Sequence, residues 1–226
     1  MRYNKFEIAL SPARMNRYVT ACNGNKARAL QLYRYNVKLC ERLYGILNVF
    51  EVILRNAIDN HYKNQYSDPN WIKTQLAAGG FLEYAPQNPK VQQLISNLTV
   101  KGTYTNDRVV SGVSFGFWPY MFTRIPFRLG GQSLLRIFPN RTTGTNQRTI
   151  YNELQKIKNF RNRIAHHEPV CFDVTGNINT VYACDNYHLI LKYVSFFGYN
   201  PQELFYGMNT KPESIISAID TLGAKV

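Results

Sequence analysis

The chain has 226 residues, with 27 Lys and Arg against 14 Asp and Glu and a formal net charge of +13. That length suits one domain, or one large domain carrying an insertion, and a positive excess spread along the chain favours a polyanionic partner, nucleic acid before others, over a merely soluble basic protein. Cys22, Cys40, Cys171 and Cys184 are too scattered for a disulfide framework, no stretch approaches the roughly 18 apolar residues of a membrane span, and MRYNKFEIAL lacks an apolar run of signal-peptide length, so a reduced, cytoplasmic protein is expected.

In chain order, Ser11 followed by Pro12 predicts a capped helix from Pro12 to about Ala21, broken by Gly24. From Lys26 to Tyr62 there is no proline, and Leu32, Tyr35, Leu39, Leu43, Ile46, Phe50, Ile53 and Ala57 recur three and four apart. That spacing predicts one very long helix or two in line. Residues 66–90 read as a turn-rich connection around a short helix from Trp71 to Ala78, and Val91 to Leu98 reads as helix. The segment around 102–146 is rich in glycine and aromatics and reads as short helices on a loop capping the core. Its arginines, Arg124, Arg128, Arg136 and Arg141, with Arg148 just beyond, are the expected basic surface for RNA, to which Arg163 is added.

The cleanest helical pattern runs from Asn146 to Glu168, with Ile150, Leu154, Ile157 and Ile164 on one stripe, and Pro169 is expected to stop it. A small β-hairpin is expected near 172–182 around Gly176-Asn177, followed by helices over about Asp185 to Phe197 and Pro212 to Leu222. The expected fold is all-α, or mainly α.

The end of the Asn146 to Glu168 helix concentrates the chemistry in Arg161-Asn162-Arg163-Ile164-Ala165-His166-His167-Glu168. At 100° per residue, Arg161 falls about 20° from the line through Ile150, inside the apolar stripe. A guanidinium there needs a carboxylate, a phosphate or a wet cleft; an internal ion pair with a glutamate on the long helix is the plain alternative. Asn162 and His166 are four apart, so the amide can orient the imidazole, whereas Arg161 and His166 point apart on one ideal helix. A widened last turn or a second copy across a two-fold axis would bring them together.

Arg161-Asn162-x3-His166 resembles the motif of the HEPN superfamily, and RNRIAHHEP resembles the signature of the Abi-like abortive-infection proteins within it. Further blocks in order carry the resemblance: Leu10-Ser11-x2-Arg14 with Tyr18, Leu32-Tyr33 with Asn36, Glu51-x2-Leu54-Arg55-Asn56, and Ser114-Phe115-Gly116-Phe117-Trp118. The resemblance implies a HEPN-type helical bundle as a single domain over 1–226. It also implies a metal-independent endoribonuclease acting in antiviral defence, as in toxin–antitoxin systems, without cofactor, whose site forms across a homodimer. RNA is the implied substrate, with a regulatory noncoding RNA or an antitoxin as a further partner. RNA supplies its own nucleophile, the 2′-OH, so a base of near-neutral pKa and a cation for the phosphorane suffice. Arg161 would stabilise the scissile phosphate, His166 act as acid or base, Asn162 orient it and His167 take the complementary proton, while Glu168 fixes an imidazole tautomer. The alternatives are a non-cleaving RNA-binding protein and a dimer scaffold. Arg55-Asn56-x4-His61 also fits as a second half-site, although Glu51, Arg55 and Asp59 read equally as a surface ion ladder. His167, Cys171, Cys184 and His188 are spaced symmetrically enough for zinc, with a fortuitous cysteine pair the plainer reading.

Overall fold

A computed structural model describes residues 3–225. The chain is mainly helical: α1 (Tyr3–Leu10), α2 (Pro12–Ala21), α3 (Lys26–Tyr66), α4 (Trp71–Leu76), α5 (Asn88–Val100), α6 (Asn106–Gly112), α7 (Phe117–Tyr120), α8 (Arg124–Leu129), a 3-10 turn (Leu134–Ile137), α9 (Gln147–Ala165), α10 (Val181–Phe196), α11 (Pro201–Leu204) and α12 (Glu213–Gly223). No helix among the described residues is long and apolar enough to cross a membrane.

Most boundaries follow local chemistry. The Ser11 side chain accepts from the Arg14 N–H at 3.3 Å with Pro12 behind it, which starts α2 as expected. The apolar repeat beyond Lys26 is one unbroken helix, α3. Three readings change. Tyr3–Leu10 is a helix that no cap or periodic stripe announced. Helix α9 ends at Ala165, three residues short of Glu168, because a backbone turn and not Pro169 terminates it. The expected β-hairpin reduces to one antiparallel bridge, Phe172 to Ile178. Asp173 Oδ1 accepts from the Thr175 and Asn177 N–H groups, and Asn179 Oδ1 accepts from Val181 N–H and starts α10, so side-chain turns leave no length for strands.

The chain divides into two compact units. One comprises Met1–Asn48, Asn159–Lys192 and Pro201–Val226. Its core includes Met15, Tyr18, Leu39, Leu43, Phe160, Ile164, Phe172, Ile190 and Ile219, all buried. Tyr18 meets Tyr33 and Phe172 edge to face at 5.2 and 5.1 Å, an arrangement favoured by the ring quadrupoles.

The other unit comprises Val49–Lys158 and Tyr193–Asn200 and is built on aromatics. Phe50, Tyr62, Trp71, Phe117, Trp118, Phe122, Phe138 and Tyr193 are fully buried. Asp59 is the polar centre of this core. It accepts from Trp71 Nε1 at 2.8 Å and Asn106 Nδ2 at 3.0 Å, and pairs with Lys63 at 2.7 Å. The expected surface ladder of Glu51, Arg55 and Asp59 is therefore corrected: Asp59 is 5% exposed and tied to α4 and α6, because a carboxylate facing inward must find donors there. Asp59→Ala would orphan two buried donors and leave Lys63 with Asp107 alone, at 3.3 Å. It is expected to lower unfolding stability by about 3 kcal/mol, read as a reduced urea midpoint at unchanged slope.

Candidate active site

The stripe that positions the motif is Ile150, Leu154, Ile157, Phe160 and Ile164, each 6% exposed or less. At roughly 1.5–3 kcal/mol per buried side chain, this face fixes the rotation of α9. By rotation Arg161 lies within that stripe and Asn162 and Arg163 lie off it, all three half-buried, and His166, His167 and Glu168 are exposed. His167 N–H donates to Ile164 O and Glu168 N–H to Arg163 O, both at 2.9 Å, with His167 at φ 58°. This is the Schellman turn, in which the left-handed position is normally glycine. A histidine there is held off its preferred backbone, and such strain clusters at functional positions.

Contacts from distant sequence hold the turn. Arg14 donates to the His167 carbonyl, and Val170 N–H donates to the buried Asn36 Oδ1 at 2.9 Å. Arg163 Nε donates to Pro169 O at 2.9 Å, lies 3.9 Å from Glu168 Oε2, and stacks 5.1 Å over the Tyr182 ring. Arg163, expected on the RNA surface, is thus committed to bracing the chain as it leaves α9. Glu168, expected to fix an imidazole, faces Arg163 instead. No side-chain hydrogen bond joins Asn162 to His166 among the described residues; their link is His166 N–H to Asn162 O at 2.9 Å.

Beside the turn lies a groove of about 710 Å³ lined by Leu10, Arg14, Asn36, Tyr44, Ile164 and His167, among others. Three blocks, at Leu10 to Arg14, at Tyr33 to Asn36 and at Ile164 to His167, the last about 150 positions beyond the first, meet along it. Sequence reasoning missed Val37, Cys40, Glu41 and Tyr44 on its α3 side. The available signal was that Val37 and Tyr44 stand off the apolar repeat of α3, and they prove 47% and 42% exposed. Burial raises the Cys40 thiol to about 11, with Arg163 and Arg14 opposing, so it stays protonated at neutral pH.

Arg124, Arg128, Arg136, Arg141 and Arg148 are exposed and belong to the other unit. Arg141 caps the 3-10 turn through Leu135 O at 3.1 Å and Phe138 O at 3.3 Å. Arg55, Asn56 and His61 do not gather. Arg55 and His61 lie about 120° apart on α3, the Arg55 Nε is buried without a hydrogen-bond partner, and Asn56 is exposed. His61 Nε2 lies 2.9 Å from Ser133 Oγ, whose own proton goes to Gln65 Oε1, so the imidazole donates. Gln65 also donates to Gly130 O at 2.7 Å, and Gly131 takes φ 92° against it. These contacts clamp a turn.

The cysteines have different surroundings: Cys171 is buried with Cys40, Arg17 and Arg163 for charged or ionisable neighbours, and Cys184 faces Asp220, Asp185 and Glu213. No group of three or more His, Cys, Asp or Glu side chains suited to a metal occurs among the described residues.

Comparison with known proteins finds no family, no curated protein and no solved structure that the chain matches.

Two outcomes follow from this geometry. His167→Gly relieves the left-handed residue and is expected to raise stability by about 1 kcal/mol, while His167→Val lowers it, measured by urea unfolding. Burial, aided by Arg136 and opposed by a Gln65 hydrogen bond, lowers the His61 pKa from 6.5. The unfolded chain therefore takes up its proton first. The clamp is intact above the unfolded pKa and weakens as pH falls toward the folded one. Amide exchange of the 130–133 turn, corrected for its intrinsic pH dependence, should accelerate between pH 7 and 5, and His61→Gln should remove that dependence.

Proposed function

We propose that the chain is an Abi-like HEPN endoribonuclease that cleaves RNA by 2′-OH attack and acts in defence against phage. The observation that carries this reading is the convergence of separate sequence blocks on the turn that ends α9, beside a groove that His167 lines and Arg161 and His166 do not. Arg14 and Asn36, from different parts of the chain, hold the backbone at His167 and at Val170. A histidine kept where glycine is preferred adds to it.

In this reading Arg161 carries the charge that gathers on the phosphorane, and His166, at the exposed end of α9, removes or returns the proton. His167 serves the complementary transfer, and Asn162 contacts the RNA backbone rather than the imidazole. The chain works as a homodimer in cytoplasm, with the last turns of α9 from two copies facing each other. Arg124, Arg128, Arg136 and Arg148 take phosphates of a longer RNA, substrate or regulatory. The second reading, an RNA-binding protein that does not cut, shares these arginines.

Arg161→Ala and His166→Ala are each expected to reduce cleavage by roughly 10² to 10⁴ with helicity unchanged by circular dichroism. Products should end in 2′,3′-cyclic phosphate, and EDTA should leave the rate unaltered. Intact RNA affinity with no cleavage by the wild-type chain would favour the non-cleaving binder.

A further inference from the structure

The groove beside the α9 turn has chemistry that phosphate cleavage does not use. At 100° per residue Tyr33, Cys40 and Tyr44 fall within about 40° of one another on α3, with Val37 and Glu41 at one flank. Tyr33 is already packed against Phe6 and Tyr18. The Tyr44 ring makes no aromatic contact among the described residues and is 42% exposed. Glu41, about one helical turn before it at i−3, is exposed and makes no ion pair or hydrogen bond among the described residues, although the chain carries 27 Lys and Arg. Arg14 and His167 also line the groove.

A free ring and a free carboxylate in one groove of about 710 Å³ match a nucleobase and not a phosphate, which the carboxylate would repel. Ionised, Glu41 only accepts hydrogen bonds. Guanine alone presents two parallel donors, N1–H and N2–H, on its Watson–Crick edge. Adenine, cytosine and uracil each set an acceptor beside their donor, and that acceptor would face the carboxylate. The edge is accessible only when the base is unpaired.

We propose that this groove binds an unpaired guanine of single-stranded RNA, stacked on Tyr44 with its Watson–Crick edge on Glu41, so that Glu41 sets base preference next to the cleavage motif. The proposal deepens the RNA reading given above and rests on it. Its test is binding, kept separate from cleavage. The full chain is titrated at low salt with a fluorescein-labelled oligouridylate and with the same oligomer carrying one central guanosine, adenosine or cytidine.

The guanosine oligomer should bind about tenfold tighter, within the range for a bidentate base contact. Glu41→Gln should abolish that advantage without changing the salt dependence, and Tyr44→Ala should weaken all four oligomers by roughly tenfold. Equal affinities, or a guanosine advantage that survives Glu41→Gln, would overturn the base pocket while leaving ribonuclease activity, assayed separately, untouched. Conversion of a dimer to a monomer by Tyr44→Ala, with oligomer affinities unchanged, would also overturn it by assigning the groove to a second copy. Failure of every oligomer to bind would overturn the pocket and the RNA reading together.

Discussion

The Asn36 amide accepts the Val170 N–H inside the protein, and the geometry of the chemical motif depends on that bond. A backbone N–H left unpaired at this depth would cost on the order of 1–3 kcal/mol, so the chain leaving α9 has little freedom to settle elsewhere. Arg14 adds a hydrogen bond to the His167 carbonyl, and Arg163 reaches forward to the Pro169 carbonyl. Three side chains from α2, α3 and α9 thus define five residues of irregular backbone. Exposed histidines on an untethered helix end would fray within the last turn.

The tethers also account for the conformation of His167. A left-handed histidine persists because the Schellman hydrogen bonds and the Arg14 contact over-determine the turn. Glycine would fit without penalty but would carry no imidazole.

Each unit solves the burial of polar groups differently. In the aromatic unit, Asp59 collects an indole N–H, an amide and an ammonium, so that a carboxylate becomes the organising acceptor of a core dominated by rings. In the unit that holds the motif, Asn36 has that role with a neutral amide, and the nearby thiols of Cys40 and Cys171 are driven up in pKa by burial and stay protonated at neutral pH.

Periodicity and capping determine much of this protein by themselves. The stripe of Ile150, Leu154, Ile157 and Ile164 and the cap at Ser11 are local properties, written in residues three or four apart, and the mainly helical fold follows from them. The grouping of chemical residues at 161–168 is local too. What only tertiary structure decides is where polar side chains find partners. Asp59 looks like one rung of a surface ladder until Trp71 and Asn106 arrive from other helices, and Arg163 looks like a phosphate ligand until Pro169 and Tyr182 take it. Hairpin alternation over 172–182 yields to Asp173 and Asn179, whose side chains bond the backbone first. The groove is the clearest case. Its walls come from three separated segments, and no spacing rule brings Glu41 and Arg14 to one groove, because that meeting depends on how α2, α3 and the end of α9 pack.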